Sequence, residues 1–406
     1  MARPLSYPDA IHLLRRAAAR GRKEEAQTLA QMGLEAAVDS LLQDPAPAPP
    51  YRTAATAKEK GLQHLEITQL WLSHWLTTPT PAAERLVLFW HGHLTSGFRE
   101  TQGAQGIDFW NQFATFRQFG YGPYGELLRS IAKNPAMLLY LNNAESKKEH
   151  PNENWARELM ELYTIGPGHY TEQDIRESAR AFTGWTVRMP QGAPRGKDRD
   201  PNVGLEYVFN PRWHDPGDKT FMGRRIKTGD EVLEILIAHP ETYRLVGRKL
   251  LAFYLNPNPP QPLVEEAAKV FRDGGTRELL RWLFTREEFY APQHRASIVK
   301  SPIEYLVGLH YAAGESKVTL GQRDKDEGKT SARVIGALAA MGQIPFDPPN
   351  VKGWDGGMSW LAESPLLVRL NLIGAFAGRE KGLDLEVFMD GADGPLSLVK
   401  PEAQLL

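Results

Sequence analysis

The run Pro151-Asn-Glu-Asn-Trp-Ala-Arg-Glu-Leu-Met-Glu-Leu162 has the spacing of a helix with three distinct faces. At about 100° per residue, Trp155, Leu159 and Leu162 fall within about 60° of one another and form a stripe for a core. Glu153, Arg157 and Met160 lie roughly opposite. Asn154, Glu158 and Glu161 fill a sector about 60° wide beside the apolar stripe. Two carboxylates and an amide at the rim of a core are costly without partners. That marks a candidate site and leaves its chemistry and substrate open.

Helical spacing dominates the rest of the chain. Residues 8–43 read as two helices around Gly21 and Gly33, and Asp44–Tyr51 is a proline-rich, helix-breaking connector. From about 57 to 183 the pattern is again helical, with start signals at Thr80-Pro81, Asn152 and Thr171. Between Trp185 and Thr228 it breaks down into Gly, Pro, Arg and Asp with short β-prone pieces, which predicts a long loop carrying one small β-hairpin. Helical spacing returns from Glu231 to about Ala312 and from Ser331 to Met341, and a last helix covers about Pro365–Ala377. The expected fold is therefore mainly α: multi-helical and globular, with long Gly/Pro-rich loops. The expected segments are 1–45 (N-terminal helical), 46–56 (Pro/Ala-rich connector), 57–228 (helical core with the polar motifs and the long loop), 229–390 (C-terminal helical subdomain) and 391–406 (weakly ordered tail).

Composition narrows the classes of chemistry. A formal net charge of -1 argues against a nucleic-acid partner, which normally selects a basic excess. With no cysteine, disulfides, thiolate metal sites and cysteine nucleophiles are excluded, so a metal would be held by imidazole or oxygen. No apolar run approaches the roughly 18 residues of a membrane span, and Met1–Pro8 lacks the apolar core of a leader. The expectation is a soluble, cytoplasmic protein as written, with export open if the true start lies upstream. No dinucleotide or phosphate-binding glycine pattern is present, so no nucleotide cofactor is expected.

Four groups of residues carry candidate chemistry. His91 and His93 close a buried helix, where two imidazoles two residues apart point about 160° from each other. They share an ion only if Gly92 breaks the helix; otherwise each is a satisfied core histidine. Around Glu158, the pairs Glu153–Arg157 and Arg157–Glu161 have i,i+4 spacing and explain part of the charge, but they leave Glu158 without a partner. Asp174 fits a first-turn cap, and also leans toward a face from which it would join a carboxylate cluster. His214-Asp-Pro-Gly-Asp-Lys219 offers either ligands and a base with its orienter, or a plain turn.

These pieces occur in an order that resembles a bacterial family known as domain of unknown function 1800. The matching elements are His12-Leu-Leu-Arg-Arg-Ala17, Phe89-Trp-His-Gly-His93, Asn152–Leu162, Tyr170-Thr to Asp174 and Ala181-Phe-Thr-Gly-Trp185. They continue with His214–Lys219, Lys300-Ser-Pro-Ile-Glu304 and Pro348-Pro-Asn-Val-Lys-Gly-Trp354. The resemblance implies a mostly helical fold and no particular activity. Its members often carry His where this chain has Tyr163. Many look exported and stand beside genes of a sulfatase-like family, which implies envelope or polysaccharide work and a sulfatase-like partner.

The leading expectation is an enzyme using metal-assisted or general acid/base chemistry, more hydrolytic than redox, on an anionic or polysaccharide-like substrate. Its catalytic set is Glu158, His91, His214, Asp215 and Lys219. The metal set is His91, His93, Glu158 and His214, holding Zn, Mn or Fe. Asn154, Arg157, Trp185 and Trp354 are expected to bind substrate, and Glu161 and Asp174 to orient the others. The rival is a non-catalytic helical binding or assembly protein whose polar motifs are structural.

Overall fold

In a computed structural model of the chain, residues 3–51, 60–194, 199–318 and 327–377 are described. The tail 391–406 and parts of the segments 1–45, 46–56, 57–228 and 229–390 lie outside them. The described chain is built from helices, with two small antiparallel two-stranded sheets. No described helix is long and apolar enough to cross a membrane.

The helix Pro81–His93 is the axis of the packing. Apart from Pro81 and Gly92 every residue on it is buried, because apolar side chains surround it and leave no polar stripe for water. Its two charges are neutralised inside. Glu84 accepts from Arg117 at 2.7 and 2.8 Å and from the Trp71 indole at 2.8 Å. Against the penalty of full burial, Arg117 and the His74 ring, 3.4 Å away, hold its carboxyl down at about 2. Arg85 pairs with Glu304 at 2.6 Å and donates to the Arg16 and Phe253 carbonyls. Buried apolar residues from Leu5 to Phe376 form one cluster around this helix.

Residues 8–43 make three helices rather than two: Tyr7–Ala18, Lys23–Met32 and Leu34–Leu41. Gly33, at φ 79°, turns the chain between the last two. The expected hairpin exists as β3 (Lys219–Phe221) and β4 (Arg224–Ile226). Its turn is Met222-Gly223, both at positive φ, the geometry that matches the twist of paired strands. Asp215–Asp218, the stretch with turn chemistry, instead leads into β3. The β-prone Tyr207–Phe209 joins a second sheet, β1 (Trp185–Arg188) with β2 (Glu206–Phe209), across the long loop.

Candidate functional site

The Glu158 helix changes its winding at the carboxylates. It begins at Asn152, whose side chain caps Asn154, and is α-helical over Glu153–Glu158. It then opens into a π-turn over Leu159–Tyr163. A single wide turn inside a helix is a feature often found at functional sites. It also shifts carbonyls away from their usual partners. Three are met from nearby: the Leu159 carbonyl accepts from the Thr164 hydroxyl at 2.6 Å, Met160 from the Gly166 amide at 2.9 Å, and Tyr163 from the Tyr124 hydroxyl at 2.6 Å. Lys249 meets a fourth, donating to the Leu162 carbonyl at 2.9 Å.

Glu158 and Glu161 lie one turn apart, and their charges interact. Glu158 is half-buried, and its carboxyl is pushed up by burial and by the Glu161 charge, with Lys352 and Arg157 holding it partly back. Glu161 accepts from the Tyr170 hydroxyl at 3.3 Å. Two phenols share the charge of Glu158. Tyr140, raised to about 12 chiefly by burial, also feels Glu100 and Asp347. Tyr163 is fully buried and raised by that burial, and its hydroxyl has no partner among the described residues. The Tyr163 phenol thus feels the charge of the candidate acid.

His91 reaches this site indirectly. Its Nε2 accepts from the Phe346 amide at 3.0 Å, and its ring lies 5.3 Å from Trp354. Phe346 sits at φ 59°, a rare conformation for a bulky residue. Both its backbone groups are bonded: the amide to His91, the carbonyl to the Phe98 amide at 2.6 Å. Gly353 (φ 83°) runs so close to the end of the Pro81–His93 helix that a Cβ there would meet the Gly92 carbonyl at 2.7 Å. The His64 ring, 2.7 Å from the Pro345 carbonyl, adds a further tie. The loop carrying Asp347, Lys352 and Trp354 is pinned in this way, and Lys352 is placed near Glu158. Burial keeps His91 neutral, down at about 3.

Several expected roles are not met by the geometry. The helix continues through Gly92, so His91 and His93 do not turn toward one ion. His93 faces Tyr124 and Lys249 instead. His214 places Nδ1 2.9 Å from the Thr183 carbonyl and packs on Phe209. Asp215 is held by Arg180 at 2.7 Å and by the Gly217 amide at 2.8 Å. Lys219 donates to the carbonyls of Asp215, Gly217 and Lys227 at 2.6, 2.7 and 3.1 Å, so its ammonium is spent on backbone. Among the described residues no group of three or more His, Asp or Glu side chains is arranged to hold a metal. The set His91, His93, Glu158 and His214 therefore does not fit a shared ion.

The remaining candidates divide in the same way. Arg157 forms a two-pronged pair with Glu172 at 2.9 Å, in place of the i,i+4 pairs expected along its own helix. Asp174 caps its helix with Thr171 and accepts from the Met222 amide at 2.7 Å, fastening the hairpin rather than joining Glu158. Trp185 is buried against Phe182 and Tyr207, so it belongs to the core and not to a contact surface. Trp354 is half-buried beside His91, while Asn154 is exposed.

Tyr140, Lys249 and Lys352 belong to the site or its support and were not singled out from the sequence. Lys249 left a signal: it falls within about 60° of Val246 on the helical wheel, a lysine on an apolar face. Lys352 lies inside the Pro348–Trp354 motif, of which only the tryptophan is a candidate from sequence. Tyr140 left none.

A family model described as "Protein of unknown function (DUF1800)" matches residues 12–405, and the chain belongs to that family. No curated protein and no solved structure matches it.

Proposed function

We propose that this protein is a hydrolase working by general acid/base chemistry on a polysaccharide-like substrate, with Glu158 as the acid and Glu161 as the base. The observation that carries this reading is the environment of Glu158: a half-buried carboxyl raised by burial and by a second carboxylate one turn away. A raised carboxyl favours its protonated form, the form a general acid must be in to donate. As the scissile C–O bond breaks, protonated Glu158 gives its proton to the leaving oxygen. Glu161 takes a proton from the water whose oxygen forms the new bond to carbon. Proton return to Glu158 through solvent restores the pair. Tyr140, Tyr170 and Trp354 supply aromatic and hydroxyl surface of the kind that sugar rings pack on.

An anionic substrate is the less supported choice. Arg157 is occupied by Glu172 and Lys219 by three carbonyls. Glu100, Glu158 and Asp347 all act on Tyr140, and Glu161 on Glu158, against two cations, Lys352 near Glu158 and Arg99 paired with Asp347 at 3.1 Å. A neutral or amine-bearing sugar meets less repulsion there. No step is routed through a metal, since the four expected ligands are not gathered.

The test is release of reducing ends from neutral and amine-bearing polysaccharides by the full-length protein. Wild type should release them, and Glu158→Gln should slow release about 100-fold or more, the usual loss with a general acid. Equal rates in the two proteins, or no release above buffer across the panel, overturn the proposal.

A second reading, a helical binding or assembly protein, draws support from Leu366, Leu367 and Leu370. They are exposed on one side of the helix Glu363–Ala377, near exposed Met358. Concentration-dependent self-association that is lost in Leu367→Gln supports it; a monomer at all concentrations does not.

A further inference from the structure

We propose that Lys249, His93 and Tyr124 form a latch that fixes the π-turn, making them positioning residues for Glu158 and Glu161. The inference rests on the acid/base reading for its functional meaning, but its geometry stands separately. Tyr124 donates its only proton to the Tyr163 carbonyl, 2.6 Å away. His93 Nε2, 3.1 Å from the same hydroxyl oxygen, must then carry a proton and donate it. That leaves His93 Nδ1 as an acceptor, and Lys249 Nζ stands 3.2 Å from it. The same ammonium donates to the Leu162 carbonyl at 2.9 Å. The hydrogen bonds therefore run one way, from Lys249 through His93 and Tyr124 to Tyr163, and they end on two neighbouring carbonyls of the π-turn.

The elements involved explain why the arrangement holds. Lys249 comes from the helix Pro240–Tyr254, His93 from the central helix and Tyr124 from the helix Tyr124–Ala132. Three separately packed helices thus fix one turn. His93 and Tyr124 are both buried, so no water competes for these bonds and each unmade bond is costly. A cation near the carbonyl end of a helix is also favourable electrostatically. Without the latch the turn is free to rewind toward α geometry. Rewinding would rotate Glu161 relative to Glu158, because the two lie on opposite sides of the point where the winding changes.

Two measurements on the full-length protein test this without any substrate. One is amide hydrogen exchange over residues 159–166, with the helix Pro302–Ala312 as an internal control. The other is the titration of Glu158 followed by carbon NMR, assigned with Glu158→Gln. In Lys249→Met and in Tyr124→Phe, exchange over 159–166 should rise about tenfold or more, as expected for one lost buried hydrogen bond, with the control helix unchanged. The Glu158 titration should move from its wild-type position in both. Tyr124→Phe removes a single oxygen and decides the matter if Lys249→Met does not fold. Wild-type exchange and titration in a folded Tyr124→Phe overturn the latch. A uniform rise that includes the control helix overturns it too, since the role would then be general stability. A wild-type Glu158 that titrates like an ordinary glutamate removes the acid/base reading, while faster local exchange would still support the latch.

Discussion

The ammonium of Lys249 stands 3.2 Å from Nδ1 of His93, a contact between two groups that burial discourages from carrying charge. Lys249 is brought down to about 8 by that burial. In the unfolded chain it returns toward 10.5, so between about 8 and 10.5 the unfolded state binds more protons than the folded one. Unfolding free energy from this group should then rise with pH across that window. Denaturant unfolding at several pH values should show the rise in wild type and a flatter profile in Lys249→Met. Identical slopes would mean that Lys249 is not desolvated.

His91→Phe keeps the volume of the ring but leaves the Phe346 amide without its acceptor. A buried unpaired amide costs about 1–3 kcal/mol, so the denaturation midpoint at neutral pH should fall accordingly. The loop bearing Lys352 should loosen, and trypsin should cut after Lys352 faster than in wild type. The variant should also lose part of the acid sensitivity. His91 is held neutral, so its share of stability is full above 6.5 and is lost as pH falls from 6.5 toward about 3.

The charges around Glu158 predict opposite responses to two substitutions. Glu161→Gln removes a neighbouring negative charge and should lower the Glu158 titration point. Lys352→Met removes a positive one and should raise it. Carbon NMR of the labelled carboxyl reads both. Movement in the same direction in the two variants would show that the pinned loop does not place Lys352 where it is seen.

Lys219→Met separates a structural lysine from an anion-holding one. It leaves three carbonyls without their donor, and the loss should be about 3 kcal/mol, in the range for hydrogen bonds to a charged group. Thermal unfolding measures it. Unchanged stability would mean that the ammonium is free for a ligand.

The helical wheel of Asn152–Leu162 placed Glu158 and Glu161 beside a core stripe, and the two carboxylates are together at the rim. The wheel assumed uniform winding, so the π-turn was invisible to it: the turn depends on Lys249 and Tyr124, far along the chain. The i,i+4 pairing of Arg157 failed for a similar reason. Glu172 on the following helix offers both oxygens at once, and a planar guanidinium favours that two-pronged contact. Asp215–Asp218 has the residue types of a turn, yet Met222-Gly223 makes the hairpin turn, because strand register and the Asp174 anchor decide where the chain reverses.

The chain's own periodicity determined that it is helical, that the His91 helix is buried and that two carboxylates share a rim, because these depend on neighbours a few residues apart. Tertiary structure alone decided which polar groups meet. His91, His93 and His214 each found a different partner, and Lys352 came to Glu158, because a side chain's hydrogen bonds are set by whatever distant segment the packing brings against it.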